Sequence, residues 1–485
     1  MEETKVIGRI EEKNLLLHYE NTDKSEFVAV YGRRRVGKTF LVREVLKSYI
    51  DFEFTGMYEM PAKVQREEFQ NEINKRNNEN GKAPANWFEA FDNLKNYLLS
   101  LNKDIVTVFL DELPWMDTQK SNFLAALSRF WNTWGNEKPL LKLFVCGSAT
   151  TWMLDKLIGD KGGLYGRISR SIYLAPFCLR ETRDYLNEVK NMNYGNRQVL
   201  DTYMIFGGIP YYLDMLDSEL PLSVNVDKLL FAENAPLKTE FEFLFRSLFK
   251  DSANYRKVVE LLSKKLKGLT RDEISENLKL SGGEFSKILK NLQACDFLRS
   301  YSAPNSKERN RLYQLTDFFS LFYLRFVQNN AGQDEHYWTN SSENGKKNAW
   351  AGYAFEQVCL HHLKEIKTRL GISGILSNAY AWSTKPYIDS NGTSWKGGQI
   401  DLIIDRSDNV MNLCEMKYSS NEFIIDKNYA ETVTNRIENF RHKEKCRKDL
   451  RCTFVTLYGV KRNKYSNIAD NQIRLDDLFA EVIEP

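Results

Sequence analysis

The 485-residue sequence predicts an α/β fold built on a doubly wound parallel sheet, and three observations carry that prediction. A strand-like run from Phe27 to Tyr31 leads into Gly32-Arg33-Arg34-Arg35-Val36-Gly37-Lys38-Thr39, after which Leu41, Val42, Val45 and Leu46 recur at helical spacing. Two more apolar runs, Ile105 to Leu110 and Leu141 to Cys146, read as buried parallel strands. The stretches between them are long and helix-patterned, as crossovers between parallel strands require.

The first of these stretches has the order strand, G-x-x-x-x-G-K-T, helix. The glycines let backbone N–H groups approach phosphate oxygens, and the helix N-terminus adds partial positive charge. Gly32 to Thr39, with Phe40 just beyond, are therefore the expected nucleotide-binding residues. Lys38 supplies a charge for the terminal phosphates and Thr39 a hydroxyl ligand for Mg²⁺. ATP and Mg²⁺ are the expected cofactors.

The strand from Ile105 ends in Asp111-Glu112 at its C-terminal edge, where ligands bind in open α/β sheets. Asp111 is expected to hold the Mg²⁺ shell and Glu112 to polarise the attacking water. The next strand ends in Gly147-Ser148, and Ser148 is a candidate sensor of the terminal phosphate. Trp87, Phe88, Phe91, Leu94, Leu98 and Leu99 read as one apolar helix face. Residues 1–177 make the expected ATPase core, and residues 178–246, broken by Gly207-Gly208-Ile209-Pro210, a helical lid over the nucleotide.

Composition limits the remaining function classes. Hydrophobic residues at 42% and aromatics at 13% can build real cores, and a net charge of +3 singles out no partner. Seven scattered cysteines without a C-x-x-C pair fit buried thiols in a reducing compartment. The five histidines form no zinc pattern. No leader-like apolar segment opens the sequence, and no run reaches the ~18 apolar residues of a membrane helix. A cytoplasmic protein without membrane contact is expected.

Residues 247–330 change character. Val258 to Leu266 reads as one helix, Thr270 to Glu273 as a capping box opening a second, and Phe285 to Leu292 as a third. Two strand-like runs, 297–301 and 311–315, then flank a polar hairpin. This spells a winged helix-turn-helix, whose Ser286, Lys287, Lys290, Lys307, Arg309 and Arg311 are candidates for DNA contact. Such modules also dock proteins. Residues 331–347 are polar and read as a linker, followed by a second α/β unit over 348–485.

In that unit Glu356 lies in a helix among apolar neighbours. Gln399 to Asp405 and Met411 to Tyr418 read as hairpin partners. Glu415 and Lys417 share one strand face, and a turn centred on Asp408 sets Asp401 opposite Glu415. Two carboxylates and a lysine meeting in this way suit a divalent cation, its hydroxide and a phosphodiester. An ordinary cross-strand ion pair is the alternative.

The runs GRRRVGKT, LDELPWM, GSAT, GR…LAPF and GGIP resemble those of prokaryotic AAA+-related STAND ATPases of the archaeal-ATPase type. The resemblance implies that a winged helix and a C-terminal restriction-endonuclease-like domain follow the ATPase core. Pro210 would then lie against adenine, and Glu356, Asp401, Glu415 and Lys417 would form a PD-(D/E)xK site with metal at Asp401 and Glu415. The expected function is ATP binding and hydrolysis coupled to a nuclease-like site acting on DNA. The alternative is a nucleotide-switched regulator or scaffold that binds DNA or protein without cutting. A homo-oligomer would be needed if Arg167 or Arg170 acted in trans.

Overall fold

The computed structural model describes residues 6–78, 80–134, 138–148, 152–159, 164, 166–249, 251–301, 311–330, 332–341 and 345–482. Its first sheet contains β1 (Glu26–Tyr31), β2 (Ile50–Thr55), β3 (Ile105–Asp111), β4 (Leu140–Gly147) and β5 (Arg170–Tyr173), all parallel, in the order β2-β3-β4-β1-β5. Successive side chains alternate between faces. Phe27, Ala29, Val106, Val108, Leu141, Leu143 and Val145 pack on one side, and Val28, Val30, Phe109, Phe144 and Cys146 on the other. Both faces are covered, which accounts for the near-continuous apolar runs.

The first face packs on helices Ala62–Asn77, Trp87–Ser100 and Phe123–Trp134. In the second of these, Trp87, Phe91, Leu94 and Leu98 are buried, but Leu99 is 44% exposed. The expected face is therefore one residue too wide. Leu99 stands about 100° around the helix from Leu98, as the 3.6-residue period requires.

The second face belongs to a core that runs on through the rest of the molecule. Helices Asn196–Phe206 and Glu240–Leu248 contribute to it, as do Ser252–Ser263 and Gly282–Ala294. A small antiparallel sheet of β6 (Leu269–Thr270), β7 (Leu298–Tyr301) and β8 (Leu312–Leu315) follows, in the order β6-β8-β7. The Thr270 capping box opens helix Arg271–Leu278, as its sequence predicts. Lys307 and Arg309 lie outside the described residues, and Lys290 approaches Asp155 at 3.5 Å.

The stretch 331–347 differs from a plain linker. Helix Tyr337–Asn340 lies within it, with Tyr337 stacked on Phe231 and Trp338 packed against Phe322, Phe326 and Trp350. Two large aromatic rings outweigh the polar composition around them.

The last sheet comprises β9 (Ser377–Thr384), β12 (Gly398–Arg406), β13 (Val410–Lys417), β14 (Asp449–Thr456) and β15 (Asn471–Ile473). A separate pair, β10 (Tyr387–Ile388) and β11 (Ser394–Trp395), projects between β9 and β12. The sheet order is β15-β14-β13-β12-β9, with β9, β12 and β13 antiparallel and β13, β14 and β15 parallel. Helix Gly345–His361 precedes it, and helix Lys427–Lys443 makes the β13-to-β14 crossover. No described helix is long and apolar enough to cross a membrane.

Candidate functional site

The loop after β1 turns sharply because Gly32 and Gly37 supply φ values of +150° and +90°. A Cβ on Gly32 would lie 2.4 Å from the Leu174 carbonyl oxygen, so only glycine fits there. Gly37 has open space on its Cβ side. Lys38 folds back over the loop, donating to the carbonyls of Gly32 (3.1 Å) and Arg33 (2.8 Å). Its burial lowers the ammonium pKa, against the neighbouring Glu112 and Asp111 carboxylates that act to raise it.

Thr39 Oγ1 donates to both carboxylate oxygens of Asp111, at 3.0 and 2.9 Å. Burial, reinforced by the adjacent Glu112 charge, pushes the Asp111 carboxyl up to about 6. Because β4 lies between β1 and β3, Ser148 at its end stands next to Glu112. The Ser148 hydroxyl is 3.0 and 2.8 Å from the two Glu112 oxygens, and its N–H donates at 3.2 Å. Glu112 adopts φ +46° at this strand end, a left-handed conformation that is uncommon outside special sites.

The arginines of the loop take roles that the sequence does not reveal. Arg33 is buried and ion-paired with Asp317, just after β8, and lies over the Phe297 ring. Arg35 pairs with Glu240 at 2.7 Å and covers the Tyr211 ring at 3.9 Å. Arg34 is half-buried, Val36 belongs to the core, and Phe40 is 42% exposed on the helix surface. The side chains of Arg33 and Arg35 therefore hold the segment after β8 and the helices that carry Tyr211 and Glu240. Arg167 and Arg170 are exposed.

Pro210 opens helix Pro210–Asp214 directly before Tyr211. Gly208, two residues before, lies so close to Phe177 that a Cβ would meet the Phe177 carbonyl oxygen at 1.9 Å, and its own carbonyl accepts the Phe177 N–H at 2.6 Å. This turn and the Gly8-Arg9 lead-in line one cavity of about 770 Å³, together with Asp317 and His362. His362 Nε2 accepts the Leu179 N–H at 3.0 Å, and Nδ1 faces the Val358 carbonyl at 2.7 Å. Both ring nitrogens are thus occupied in joining two helices.

In the C-terminal sheet, Leu402 pairs with Cys414 and Ile403 with Leu413, the register of a turn centred on Asp408. Continued by one residue, it sets Asp401 against Glu415. A bulge against β9 falls between Ile400 and Ile403, the stretch that contains Asp401 and Leu402. Bulges re-aim side chains and gather beside active sites. Glu356, Asp401, Glu415 and Lys417 interact electrostatically as one group. Burial and mutual repulsion hold the Glu356 and Asp401 carboxyls above the ordinary range.

Glu415 is only 3% exposed and fully engaged. One oxygen is ion-paired with Arg436, and the other accepts from Tyr429 at 3.0 Å and lies 3.5 Å from Lys417. Tyr429 and Arg436 are site residues that the sequence motifs do not single out. Their signal was their spacing of seven on one helix, alongside the buried Val433 and Phe440. Among the described residues, no three or more His, Cys, Asp or Glu are arranged to hold a metal ion.

The parallel sheet, the glycine loop and the acidic strand end define a P-loop ATPase fold in the N-terminal part. Residues 7–216 match the family described as "ATPase domain predominantly from Archaea". An uncharacterised protein of Methanocaldococcus jannaschii is 25% identical over 368 residues, spanning 74% of this chain and 77% of the relative. Among solved structures, the Walker-type ATPase of Pyrococcus abyssi is 20% identical, with a TM-score of 0.49 over 66% of this chain and 96% of that one. The Aeropyrum pernix ORC2 protein, in ADPNP–ADP complexes, is 14% identical, with a TM-score of 0.43 over 68% and 95%.

Proposed function

We propose that the protein binds and hydrolyses ATP, and that its nucleotide state governs a C-terminal, metal-dependent site that cuts DNA. The observation that carries this reading is the short β7–β8 pair between the two polar clusters. After β8, Asp317 holds Arg33 of the phosphate loop. On β7, Arg299 hydrogen-bonds Gln357, the neighbour of Glu356. A shift of the phosphate loop therefore has a continuous polar and packed route to Glu356.

Thr39 and Asp111 offer the hard oxygen donors that Mg²⁺ takes, so this pair fits the ion. Bound Mg²⁺ would neutralise phosphate charge. Lys38 would turn from the loop carbonyls to the terminal phosphates, and Glu112, held by Ser148, would orient the attacking water. Pro210, beside the lead-in cavity, would contact the base.

On this reading, residues 1–177 are the ATPase core, 178–246 the lid, 247–330 a winged helix-turn-helix and 348–485 a restriction-endonuclease-like domain. Three helices followed by a short strand pair support the third assignment. The mixed sheet, the bulge between Ile400 and Ile403 and the Glu356-Asp401-Glu415-Lys417 group support the fourth. Asp401 and Glu415 would hold the cutting metal, with Lys417 beside the nucleophile. This requires Arg436 to release Glu415.

That last requirement favours a second reading, in which the C-terminal site binds DNA without cutting it and the protein is a nucleotide-switched regulator. Plasmid nicking with Mn²⁺, together with phosphate release from ATP, separates the two. The first reading expects nicking that disappears in Asp401→Ala and Lys417→Ala, and ATP hydrolysis that disappears in Lys38→Ala. DNA binding without nicking, unchanged by Asp401→Ala, supports the second.

A further inference from the structure

A cleft of about 1120 Å³ separates the small sheet from the C-terminal sheet. One wall is formed by Lys267, Tyr301 and Leu312. The other is formed by the end of β9 and the β10–β11 hairpin, with Lys385, Trp395 and Lys396, and Arg436 also lines it. Four cations thus face a single lining carboxylate, Glu438. Among the described residues, no carboxylate pairs with Lys267, Lys385 or Lys396, and all three are exposed.

The cleft opens onto the acidic group. Tyr301, Ala381 and Gln399 line both it and the small cavity that contains Glu356 and Asp401. Gln399 donates to Asp401 at 3.3 Å, and Arg436 reaches from the cleft to Glu415. Trp395 stacks on His442 at 4.6 Å, close to the parallel ring of Tyr387, so the hairpin presents a flat aromatic platform.

We propose that this cleft is a binding site for an unpaired DNA strand, delivered by way of Gln399 and Arg436 to the Asp401–Glu415 group. The inference rests on the DNA-acting reading above and names its substrate class. Three features carry it. The lysines and Arg436 supply phosphate neutralisation, and the aromatic platform supplies base stacking, the two components of single-strand recognition. The volume exceeds the roughly 300–1,000 Å³ of small-molecule pockets only slightly. A few nucleotides fit between the walls, and a turn of duplex does not. The strand's phosphodiester replaces Glu415 as the partner of Arg436, which frees the carboxylate.

The test is fluorescence anisotropy on the full chain in EDTA, with a labelled oligothymidine of about 20 nucleotides compared with a duplex of the same length. The single strand is expected to bind at least tenfold tighter than the duplex. The Lys385→Ala/Lys396→Ala double variant, at exposed positions, should flatten the slope of log affinity against log salt by about 1.4, at roughly 0.7 per phosphate contact. Trp395→Ala should weaken binding about tenfold or more. Equal or tighter duplex binding overturns the proposal, as does single-strand binding that both variants leave unchanged, or no binding at low salt. Binding in EDTA is independent of cleavage. If the single strand binds as expected and is never cut in Mn²⁺, the cutting reading alone fails.

Discussion

Replacing Asp317 tests the grip between the phosphate loop and the rest of the molecule. Arg33 is 2% exposed, and its Nη2 is buried without a hydrogen-bond partner among the described residues, so its ion pair with Asp317 is the main compensation for its charge. Burial opposes the charged guanidinium, but the Asp317 carboxylate overcomes this and raises the Arg33 pKa. Removing one partner of such a pair strands a buried charge and costs about 3–5 kcal/mol. Asp317 also caps helix Phe318–Phe322 by accepting the Ser320 N–H at 2.8 Å. Asp317→Asn keeps a capping oxygen and should lose about 3–5 kcal/mol. Asp317→Ala should lose about 1 kcal/mol more. Arg33→Met combined with Asp317→Asn removes both charges and should recover most of the loss. Urea unfolding followed by tryptophan fluorescence reads all three. A loss below about 1 kcal/mol in Asp317→Asn, or a double variant as weak as the single, refutes the reasoning.

At Asp111, the folded carboxyl titrates near 6, above its ordinary value, so stability is greatest below the ordinary value and is lost as pH rises through about 6. Asp111→Asn should therefore stabilise the nucleotide-free protein near pH 7.5, by on the order of 1–3 kcal/mol, while abolishing Mg²⁺-dependent hydrolysis. Unfolding curves at several pH values should show the gain vanishing in acid. Burial likewise raises Glu356, so the metal-free protein should lose stability as pH rises through neutrality and beyond, and Glu356→Gln should flatten that fall. Gly32→Ala places a Cβ against the Leu174 carbonyl and should cost about 1–3 kcal/mol, with weakened ATP binding by equilibrium dialysis.

Where periodicity or spacing encodes geometry, the sequence is legible. The near-continuous apolar runs of β1, β3 and β4 mark a sheet buried on both faces, and the six-residue separations about Asp408 fix the register that pairs Leu402 with Cys414. Long-range partners leave no such trace. Arg33 meets Asp317 across 284 residues, and nothing near either residue announces the other. The arginine triplet therefore reads as a phosphate cradle, although two of its side chains hold carboxylates. The bulge between Ile400 and Ile403 is equally silent, because nothing in the composition of that run marks an extra residue opposite β9. Tyr429 and Arg436 lie on a helix whose pattern reports burial and not what its polar edge touches. Trp338 shows that two rings decide the packing of a segment whose average is polar.

The central claim is that nucleotide state governs the C-terminal site through β7 and β8. The most direct measurement is the rate of cutting of a labelled single-stranded DNA in Mn²⁺ by the wild-type protein and by Asp317→Asn, each with and without ATP. The account predicts cutting that changes severalfold with ATP in the wild type and loses that dependence in Asp317→Asn, with Asp401→Asn inactive throughout. Cutting at one rate with or without ATP in the wild type, or cutting that survives in Asp401→Asn, contradicts it.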